Sequence, residues 1–307
     1  MSGAANAHVA TTMQASVPQP SHPSPSQRPP AGFVQGVRVG LCGLAFLGFA
    51  LGGAVLAWLV LPIVARWPGS SQAQSRKRCQ RVVRAAWIFF HDYMRVVGLV
   101  AFNHRRMRLP AHAPAVIIAN HPTLIDITAL VSALGPVCFV AKKPLFKNPI
   151  YGALLRACGH IGSLDADGDE GQSALDQALA RLAAGHSVLL FPEGTRSPVG
   201  GLGRFRMGAF ALARQAQVPL VVVSVTARPL GLNKGVPWYA IPAQAMTLSL
   251  EHEMTFNDWS SIPDLHALAA LRTTIRQRLL ARVHPGPAAV PVAAPESVPG
   301  TLNLTQA

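Results

Sequence analysis

The stretch that decides the fold is Val116-Ile117-Ile118-Ala119-Asn120-His121-Pro122-Thr123-Leu124-Ile125-Asp126, in which an apolar run passes directly into a polar block. The run 116–119 has the length and residue types of a buried strand. Pro122 disfavours helix at His121, so the helical pattern that follows is predicted to begin after the proline, with Thr123 as its N-cap. The stretch therefore predicts a strand, a turn and a helix, the repeating unit of α/β domains.

The chain beyond this stretch alternates in the same way. Further strands are predicted at 137–140, 188–191, 220–225 and 247–252, the last as an edge strand. Further helices are predicted at 148–158, 173–184, 207–217 and 264–283. This alternation predicts an α/β fold with a mostly parallel central sheet flanked by helices. Ligands bind at the C-terminal strand ends of such sheets, which is where the polar block lies.

His121 and Asp126 are the candidate catalytic residues of the first block. They are five positions apart, which on a continuous helix would separate them by about 140°. With the helix starting after Pro122, the chain can turn back and bring the imidazole to the carboxylate. Asp126 would then hold one ring nitrogen as N–H and leave the other as a base. The alternative is that Asp126 only caps the helix from Thr123 and that His121 is an ordinary loop residue.

A second block, Phe191-Pro192-Glu193-Gly194-Thr195-Arg196-Ser197, follows another predicted strand. Gly194 permits a positive φ and a close approach of backbone N–H groups to an anion. Arg196 can bind a phosphate in a bidentate fork, and Glu193 can accept from substrate hydroxyls or hold Arg196. The alternative is a surface turn with a Glu–Arg pair.

Further cations follow the predicted strands and the glycine-rich loop 200–203, namely Lys142, Lys143, Arg204 and Arg206. No phosphate-binding loop, dinucleotide fingerprint or metal-ligand spacing is present, and no serine or cysteine nucleophile has a partner base. None of the four cysteines is paired as Cys-x-x-Cys, so neither a zinc site nor a disulfide framework is expected.

Composition and periodicity divide the chain into five segments. They are a disordered tail at 1–31, a transmembrane or monotopic membrane segment at 32–66, a basic amphipathic helical linker at 67–110, the catalytic domain at 111–283 and a disordered tail at 284–307. The membrane segment contains an uncharged run long enough to span a bilayer. A hairpin that dips into one leaflet is the alternative, and a cleavable signal peptide is disfavoured because the run is too long and starts too late.

The charge balance points to a membrane partner. Charged residues make up 13% of the chain, against about 25% in typical soluble domains. The net charge is +14, and much of the excess lies just after the apolar run. The positive-inside rule then predicts an inner-membrane protein with its catalytic domain on the cytoplasmic side. Anionic lipid explains these cations more simply than nucleic acid does, so no nucleic-acid partner is expected.

The motifs resemble those of the glycerolipid acyltransferases of the 1-acylglycerol-3-phosphate O-acyltransferase type, over roughly residues 85 to 255. Asn120-His121-(four residues)-Asp126 and Phe191 to Ser197 resemble two blocks of that family. Weaker likenesses lie at Phe139 to Lys142, Phe205 to Ala209 and Val218 to Val221.

The resemblance implies a membrane enzyme that transfers an acyl chain to a lysophospholipid hydroxyl and so makes phosphatidic acid. It implies that His121 is the general base, that Asp126 supports it, and that the hydroxyl attacks the acyl thioester directly. Substrate-binding roles fall on Lys142, Glu193, Gly194, Thr195, Arg196 and Arg206. The donor would be acyl-CoA or acyl-carrier protein, with no metal and no other cofactor.

One block departs from the family. Where the family has an apolar residue, Asp and then Arg, this chain reads Gly159-His160-Ile161-Gly162-Ser163-Leu164-Asp165-Ala166-Asp167, without the arginine. That arginine is associated with phosphate binding, so a lyso-ornithine lipid or an aryl polyene-type lipid is an alternative acceptor. The segment 233–239 is also similar to a subgroup associated with aryl polyene lipids. A non-catalytic lipid-binding protein of the same fold is the alternative from another class.

Overall fold

The computed structural model describes residues 32–69, 71–102, 114–162 and 169–284. The strands are β1 (Val100–Phe102), β2 (Val116–Ala119), β3 (Val137–Ala141), β4 (Ile161–Gly162), β5 (Ser187–Leu190), β6 (Leu220–Arg228) and β7 (Met246–Phe256). The α-helices are α1 (Phe33–Val55), α2 (Leu61–Ala65), α3 (Gln72–Val96), α4 (Asp126–Leu134), α5 (Lys143–Lys147), α6 (Pro149–Ala157), α7 (Asp169–Ala183), α8 (Gly208–Ala216) and α9 (Leu265–Val283). A π-helical turn, Leu56–Val60, joins α1 to α2, and a 3₁₀ turn, Trp259–Ser261, precedes α9.

Within these residues the strands form one seven-stranded sheet in the order β1-β7-β6-β2-β5-β3-β4. Every neighbouring pair is parallel except β6 and β7, which are antiparallel. The predicted fold class, a mostly parallel sheet flanked by helices, is confirmed. The predicted strands and helices of the α/β region are also present, with ends that shift by a few residues.

Both faces of the sheet are buried, which explains why its central strands are continuous apolar runs. Along β2, successive side chains enter opposite layers. Ile117 packs in a core with residues of α1, α3 and α4, whereas Ile118 packs in a second core with residues of α7, α8 and α9. The strand that carries the first polar block is therefore held by helices on both sides.

The edge of the sheet differs from the prediction. The segment 247–252 was expected at the edge, but β7 lies between β6 and β1. The edge strand on this side of the sheet is β1, which falls in the segment 67–110 that was predicted to be a helical linker. Helix α3 ends at Val96, and Gly98 with a φ of 69° turns the chain into β1. A strand of three residues is too short to give a period-two pattern, so it is not visible in the sequence.

Several predicted segments lie outside the described residues. These are the tail 1–31, residues 103–113 of the predicted linker and domain start, and the tail 284–307 except for His284.

The N-terminal helices form one helical stretch, Phe33–Ala65, which by length and composition is apolar enough to cross a membrane. One side of this stretch packs on the domain. Near its start Gln35 Nε2 donates to the carbonyl of Ile241 at 3.1 Å, and near its end Leu61 is buried against Cys79 and Cys158. The opposite side exposes large apolar side chains, namely Phe33, Val37, Leu44, Leu47, Leu51, Val55, Trp58, Leu59 and Ile63.

Candidate active site

The imidazole of His121 and the carboxylate of Asp126 meet, with Nδ1 2.8 Å from Oδ2. The backbone N–H of Thr123 also donates to Oδ2, at 2.6 Å, and the Thr123 hydroxyl donates to Oδ1. Asp126 is fully buried. One carboxylate therefore closes the turn at Thr123 and holds the histidine.

The helix start differs from the prediction. Helix α4 begins at Asp126 with Ile125 as its N-cap, so Thr123 is not the capping residue. Asp126 is the first helical residue instead of the third. The physical reason is that the Asp126 carboxylate accepts from Thr123, which keeps residues 123–125 in a turn ahead of the helix.

The hydrogen bond to Asp126 settles the tautomer of His121. A carboxylate that already accepts two hydrogen bonds acts as an acceptor, so in the neutral ring Nδ1 carries the proton and Nε2 keeps its lone pair. Among the described residues Nε2 has no hydrogen-bond partner. The ring stacks on Phe191, with centroids 4.1 Å apart and planes at 13°, which fixes its orientation. The site thus holds an imidazole of fixed orientation at a strand end.

Asn120 anchors the first block to the sheet. Its side-chain amide donates to the carbonyl of Val225 and accepts the N–H of Val225, both at 2.8 Å. This exchange continues the parallel pairing of β2 and β6 beyond its last backbone partner, Ala119 with Val223. No separate role was predicted for Asn120. The only signal was a polar residue directly after a buried strand.

Glu193 connects the two polar blocks through hydrogen bonds. Its Oε1 accepts from the backbone N–H of His121 at 3.2 Å and from the hydroxyl of Ser197 at 2.6 Å. Its Oε2 accepts from the N–H of Gly203 at 2.6 Å. The side chain is buried, with 5% of its surface exposed. The structure therefore places this carboxylate among protein donors, with no bond to Arg196.

Ser197 completes the connection between the blocks. Its backbone N–H donates to the carbonyl of His121 at 2.7 Å, and its hydroxyl lies 3.2 Å from the N–H of His121. No role was predicted for Ser197, because its contacts with His121 join it to a block 76 residues away and have no local signature.

Gly194 has the expected positive φ, at 67°. A Cβ at this position would lie 3.0 Å from Nε of Arg206, so the absence of a side chain lets the exposed Arg206 guanidinium lie against the turn. The Gly194 N–H donates to the carbonyl of Phe191 at 3.0 Å and so closes the turn. Thr195 is half-buried in the same turn.

Arg196 binds the loop that contains Leu232 and Asn233. Its Nη1 donates to the carbonyls of Leu232 and Asn233, at 3.1 and 3.0 Å. The same Leu232 carbonyl accepts from the N–H of Leu124 at 3.0 Å. In the described part of the chain no acceptor bonds Nε or Nη2 of Arg196, so part of the guanidinium remains for a ligand.

Lys142 lies at the same edge of the sheet, exposed at the N-cap of α5 directly after β3. Beside the blocks, a cleft of about 410 Å³ is lined in part by Pro122, Ser197 and Arg228. The arginine-lacking block is described only as far as Gly162, and residues 163–168 lie outside the described ranges.

Part of this chain is similar to known proteins. The protein-family model described as Acyltransferase matches residues 101–226. The chloroplastic 1-acyl-sn-glycerol-3-phosphate acyltransferase BAT2 of Brassica napus is 32% identical over 124 residues, 40% of this chain and 35% of that protein. A lyso-ornithine lipid O-acyltransferase of Pseudomonas aeruginosa is 30% identical over 198 residues, 64% of this chain and 68% of that protein.

A solved structure shares the fold. The 1-acyl-sn-glycerophosphate (LPA) acyltransferase PlsC from Thermotoga maritima matches with a TM-score of 0.59 at 20% identity, over 80% of this chain and 95% of that one. The chain spans about a third of the length of the plant and algal relatives that it matches. Because the matched residues 101–226 contain both polar blocks, and because the longer alignment covers 68% of a curated relative, this chain belongs to the acyltransferase family.

Proposed function

We propose that this chain is a membrane-anchored O-acyltransferase that moves an acyl chain from acyl-CoA or acyl-carrier protein to the hydroxyl of 1-acylglycerol-3-phosphate, giving phosphatidic acid. The observation that carries the proposal is the His121–Asp126 pair, whose 2.8 Å contact through Nδ1 leaves Nε2 of the imidazole to act as a base at a C-terminal strand end. The resemblance of both blocks to glycerolipid acyltransferases supports the choice of reaction.

The transfer follows from this pair without a covalent enzyme intermediate. The acceptor hydroxyl loses its proton to Nε2 of His121 while its oxygen attacks the carbonyl carbon of the thioester. Asp126 stabilises the imidazolium that forms. The carbon–sulfur bond then breaks, and the departing thiolate takes the proton back from His121. The products are the ester and the free thiol, and the enzyme returns to its starting state.

The thioester is already an activated acyl group, and the base is supplied by the protein. We therefore propose that the reaction needs no metal ion and no cofactor beyond the acyl donor. The phosphate of the acceptor is proposed to lie near the Gly194–Arg196 turn, because the Arg206 guanidinium lies against Gly194 and Arg196 uses only Nη1 for its bonds to described residues. Lys142 and Thr195 are proposed to line the substrate path at this edge.

The membrane segment is proposed to lie in one leaflet instead of crossing the bilayer. A helical stretch of 33 residues is about 50 Å long, yet it contacts the domain near both ends. Its exposed side is apolar throughout, as in helices that rest in a membrane interface. The catalytic domain is proposed to sit on the cytoplasmic side of the inner membrane, where the acyl donors are made and where anionic lipid attracts its excess of cations.

A second acceptor class has a specific observation in its favour. The block at 159–167 lacks the arginine that its family uses near phosphate, and a lyso-ornithine lipid carries no phosphate. The similarity to a lyso-ornithine lipid O-acyltransferase from Pseudomonas aeruginosa also supports this alternative. An aryl polyene-type lipid is the less supported version of it. A non-catalytic lipid-binding protein would have no use for an oriented base, so the His121–Asp126 contact disfavours it.

An acceptor panel tests the proposal. Membranes that contain the full chain are given labelled acyl-CoA or acyl-carrier protein with lysophosphatidic acid, other lysophospholipids or lyso-ornithine lipid, beside membranes without the chain. We expect labelled phosphatidic acid to be the main product. If only lyso-ornithine lipid gives a labelled product, lyso-ornithine lipid is the acceptor and lysophosphatidic acid is not. If the chain binds lysolipid but transfers no acyl group, it is a non-catalytic lipid-binding protein.

A further inference from the structure

A group of cations lies at the end of the sheet opposite the catalytic residues. Arg76 and Lys77 come from the first turns of α3, and Arg181 comes from the last turn of α7. They surround the turns that precede β4 and β5. His186 stands directly before β5 and Phe191 directly after it, which separates this end from the catalytic end by roughly 17 Å at about 3.3 Å per residue. Arg76, Lys77 and Arg181 are called the basic cluster below.

Two glycine turns bring the basic cluster together. Gly159 has a φ of 70°, and a Cβ there would lie only 2.6 Å from Cδ of Arg76. The carbonyl of the same glycine accepts from Nε of Arg181 at 3.0 Å. Gly185 has a φ of 77°, and its Cβ position lies 3.7 Å from Nζ of Lys77. The turns thus let three cations from two helices approach one small region of backbone.

None of the carboxylates whose side chains the structure describes neutralises this charge. None of the ion pairs among the described residues includes a member of the basic cluster. Each of the three side chains is partly buried, so solvent screens their mutual repulsion incompletely. Burial and the charge of Arg181 lower the pKa of Arg76. An arrangement of this kind costs free energy unless an anion binds it.

His186 provides an independent sign of a ligand. Its side chain is buried, with 1% of its surface exposed, and neither Nδ1 nor Nε2 has a hydrogen-bond partner. Its backbone N–H donates to the carbonyl of Arg181 at 2.9 Å, so the residue is fixed beside the basic cluster. Burial and the three cations lower the pKa of His186 to about 4, which leaves a neutral ring with one unused donor at pH 7. Buried ring nitrogens are normally hydrogen-bonded.

We propose that Arg76, Lys77, Arg181 and His186 form a second binding site, for a phosphate group, at the N-terminal end of the sheet. Two guanidinium forks, an ammonium group and a neutral imidazole N–H match the oxygens and the multiple charge of a phosphate better than they match a single carboxylate. The phosphate can belong to a phospholipid headgroup, since α3 follows the apolar helices directly, or to a soluble phosphate compound.

The test compares thermal unfolding of the full chain in lipid nanodiscs. One arm uses phosphatidylcholine discs with and without sodium phosphate, with sodium chloride added to equal ionic strength. The other arm uses discs with and without phosphatidylglycerol, in buffer free of phosphate. Each arm compares the wild type with Arg76→Gln/Arg181→Gln. The control is Arg272→Gln/Arg278→Gln on α9, which removes the same charge at residues with no hydrogen bond to another described residue.

We expect the Tm of the wild type and of the control to rise by several degrees in at least one arm, since a ligand stabilises the state that binds it. The rise should be lost in the double variant. A rise in Tm that occurs only with sodium phosphate identifies a soluble ligand. A rise in Tm that occurs only with phosphatidylglycerol identifies a lipid headgroup. The proposal is overturned if the Tm of the wild type rises in neither arm, or if it rises equally in the double variant.

Lys77→Gln gives the same test should the double variant fail to fold, because Nζ of Lys77 lies beside the Gly185 turn without a hydrogen bond to another described residue. We expect it to weaken binding of the phosphate about tenfold, and an unchanged Tm gain in Lys77→Gln would also overturn the proposal. Acyl transfer is not measured in this experiment, so the outcome is independent of the proposed catalytic function.

Discussion

Nδ1 of His121 lies 2.8 Å from Oδ2 of Asp126, and that carboxylate also accepts from the backbone N–H of Thr123 at 2.6 Å. One buried group thus fixes the imidazole and closes the turn that leads into α4. Catalysis and local stability therefore depend on the same side chain. Substitutions at Asp126 and at Thr123 test the two roles of this carboxylate.

Asp126→Asn should damage both functions of the carboxylate. The amide has one acceptor oxygen for three donors, so either Nδ1 of His121 or a Thr123 donor loses its partner. We expect kcat to fall by about 10²- to 10⁴-fold and the free energy of unfolding to fall by about 1–3 kcal/mol. Steady-state kinetics and chemical denaturation measure the two effects.

Thr123→Val is the matched control, since it removes the hydroxyl that donates to Asp126 and accepts from the N–H of Ile125, and leaves the contact between Asp126 and His121 in place. It should lower the free energy of unfolding by about 1 kcal/mol and leave kcat within a few-fold of wild type. A loss of kcat as large as that of Asp126→Asn would show that the turn, and not the contact with His121, limits catalysis.

Glu193→Gln should reduce kcat with little change in the KM for either substrate. Glu193 accepts from His121, Ser197 and Gly203, and a glutamine cannot accept all three because one side-chain atom becomes a donor. We expect the free energy of unfolding to fall by about 1–3 kcal/mol. A variant of normal stability whose acceptor KM rises alone would show instead that Glu193 contacts the substrate.

Arg196→Lys should raise the acceptor KM by about tenfold or more while kcat changes little, if Nε and Nη2 bind the acceptor phosphate in both ground and transition states. Lysine retains a charge but cannot span the carbonyls of Leu232 and Asn233 and also present a fork. Arg278→Lys on the exposed side of α9 serves as the control. An unchanged acceptor KM in Arg196→Lys would remove the phosphate assignment and leave Arg196 as a loop anchor.

His160 makes the folded state sensitive to mild acid. Burial, reinforced by the charge of Arg181, lowers the pKa of His160 to about 3 from an ordinary value of 6.5. Above pH 6.5 the ring is neutral in both the folded and unfolded chain, so it contributes no pH dependence. Between pH 6.5 and 3 only the unfolded chain binds the proton, so the free energy of unfolding falls as the pH falls.

The expected loss from His160 is about 2 kcal/mol between pH 6.5 and 5. His160→Asn provides the comparison, because an amide oxygen can still accept the N–H of Phe139, which Nδ1 of His160 now accepts at 3.0 Å. Denaturation curves at pH 6.5 and 5 should show a smaller pH dependence for this variant. Equal pH dependence in the two proteins would mean that His160 is protonated when folded.

The sequence predicted the elements that depend on local signals. Runs such as Val116–Ala119 are apolar because both faces of the sheet are buried, and the break at Pro122 is a local steric effect. The pairing of His121 with Asp126 followed from the same break. These features need only neighbouring residues for their prediction.

What the sequence did not predict depends on contacts between distant segments. The edge position of β1 and the interior position of β7 are set by pairing of Val100 with Met246. The partners of Glu193 include His121, which is 72 residues away, so its inward orientation has no local signature. The basic cluster likewise joins α3 to α7 across two glycine turns.

The most direct measurement of the central claim is acyl transfer to lysophosphatidic acid by the full chain and by His121→Ala, in membranes with equal amounts of folded protein. If Nε2 of His121 is the base, the variant should retain a normal Tm and lose about 10²- to 10⁴-fold in kcat. Transfer by His121→Ala at the wild-type rate would contradict the account, because the His121–Asp126 pair would then have no part in the reaction.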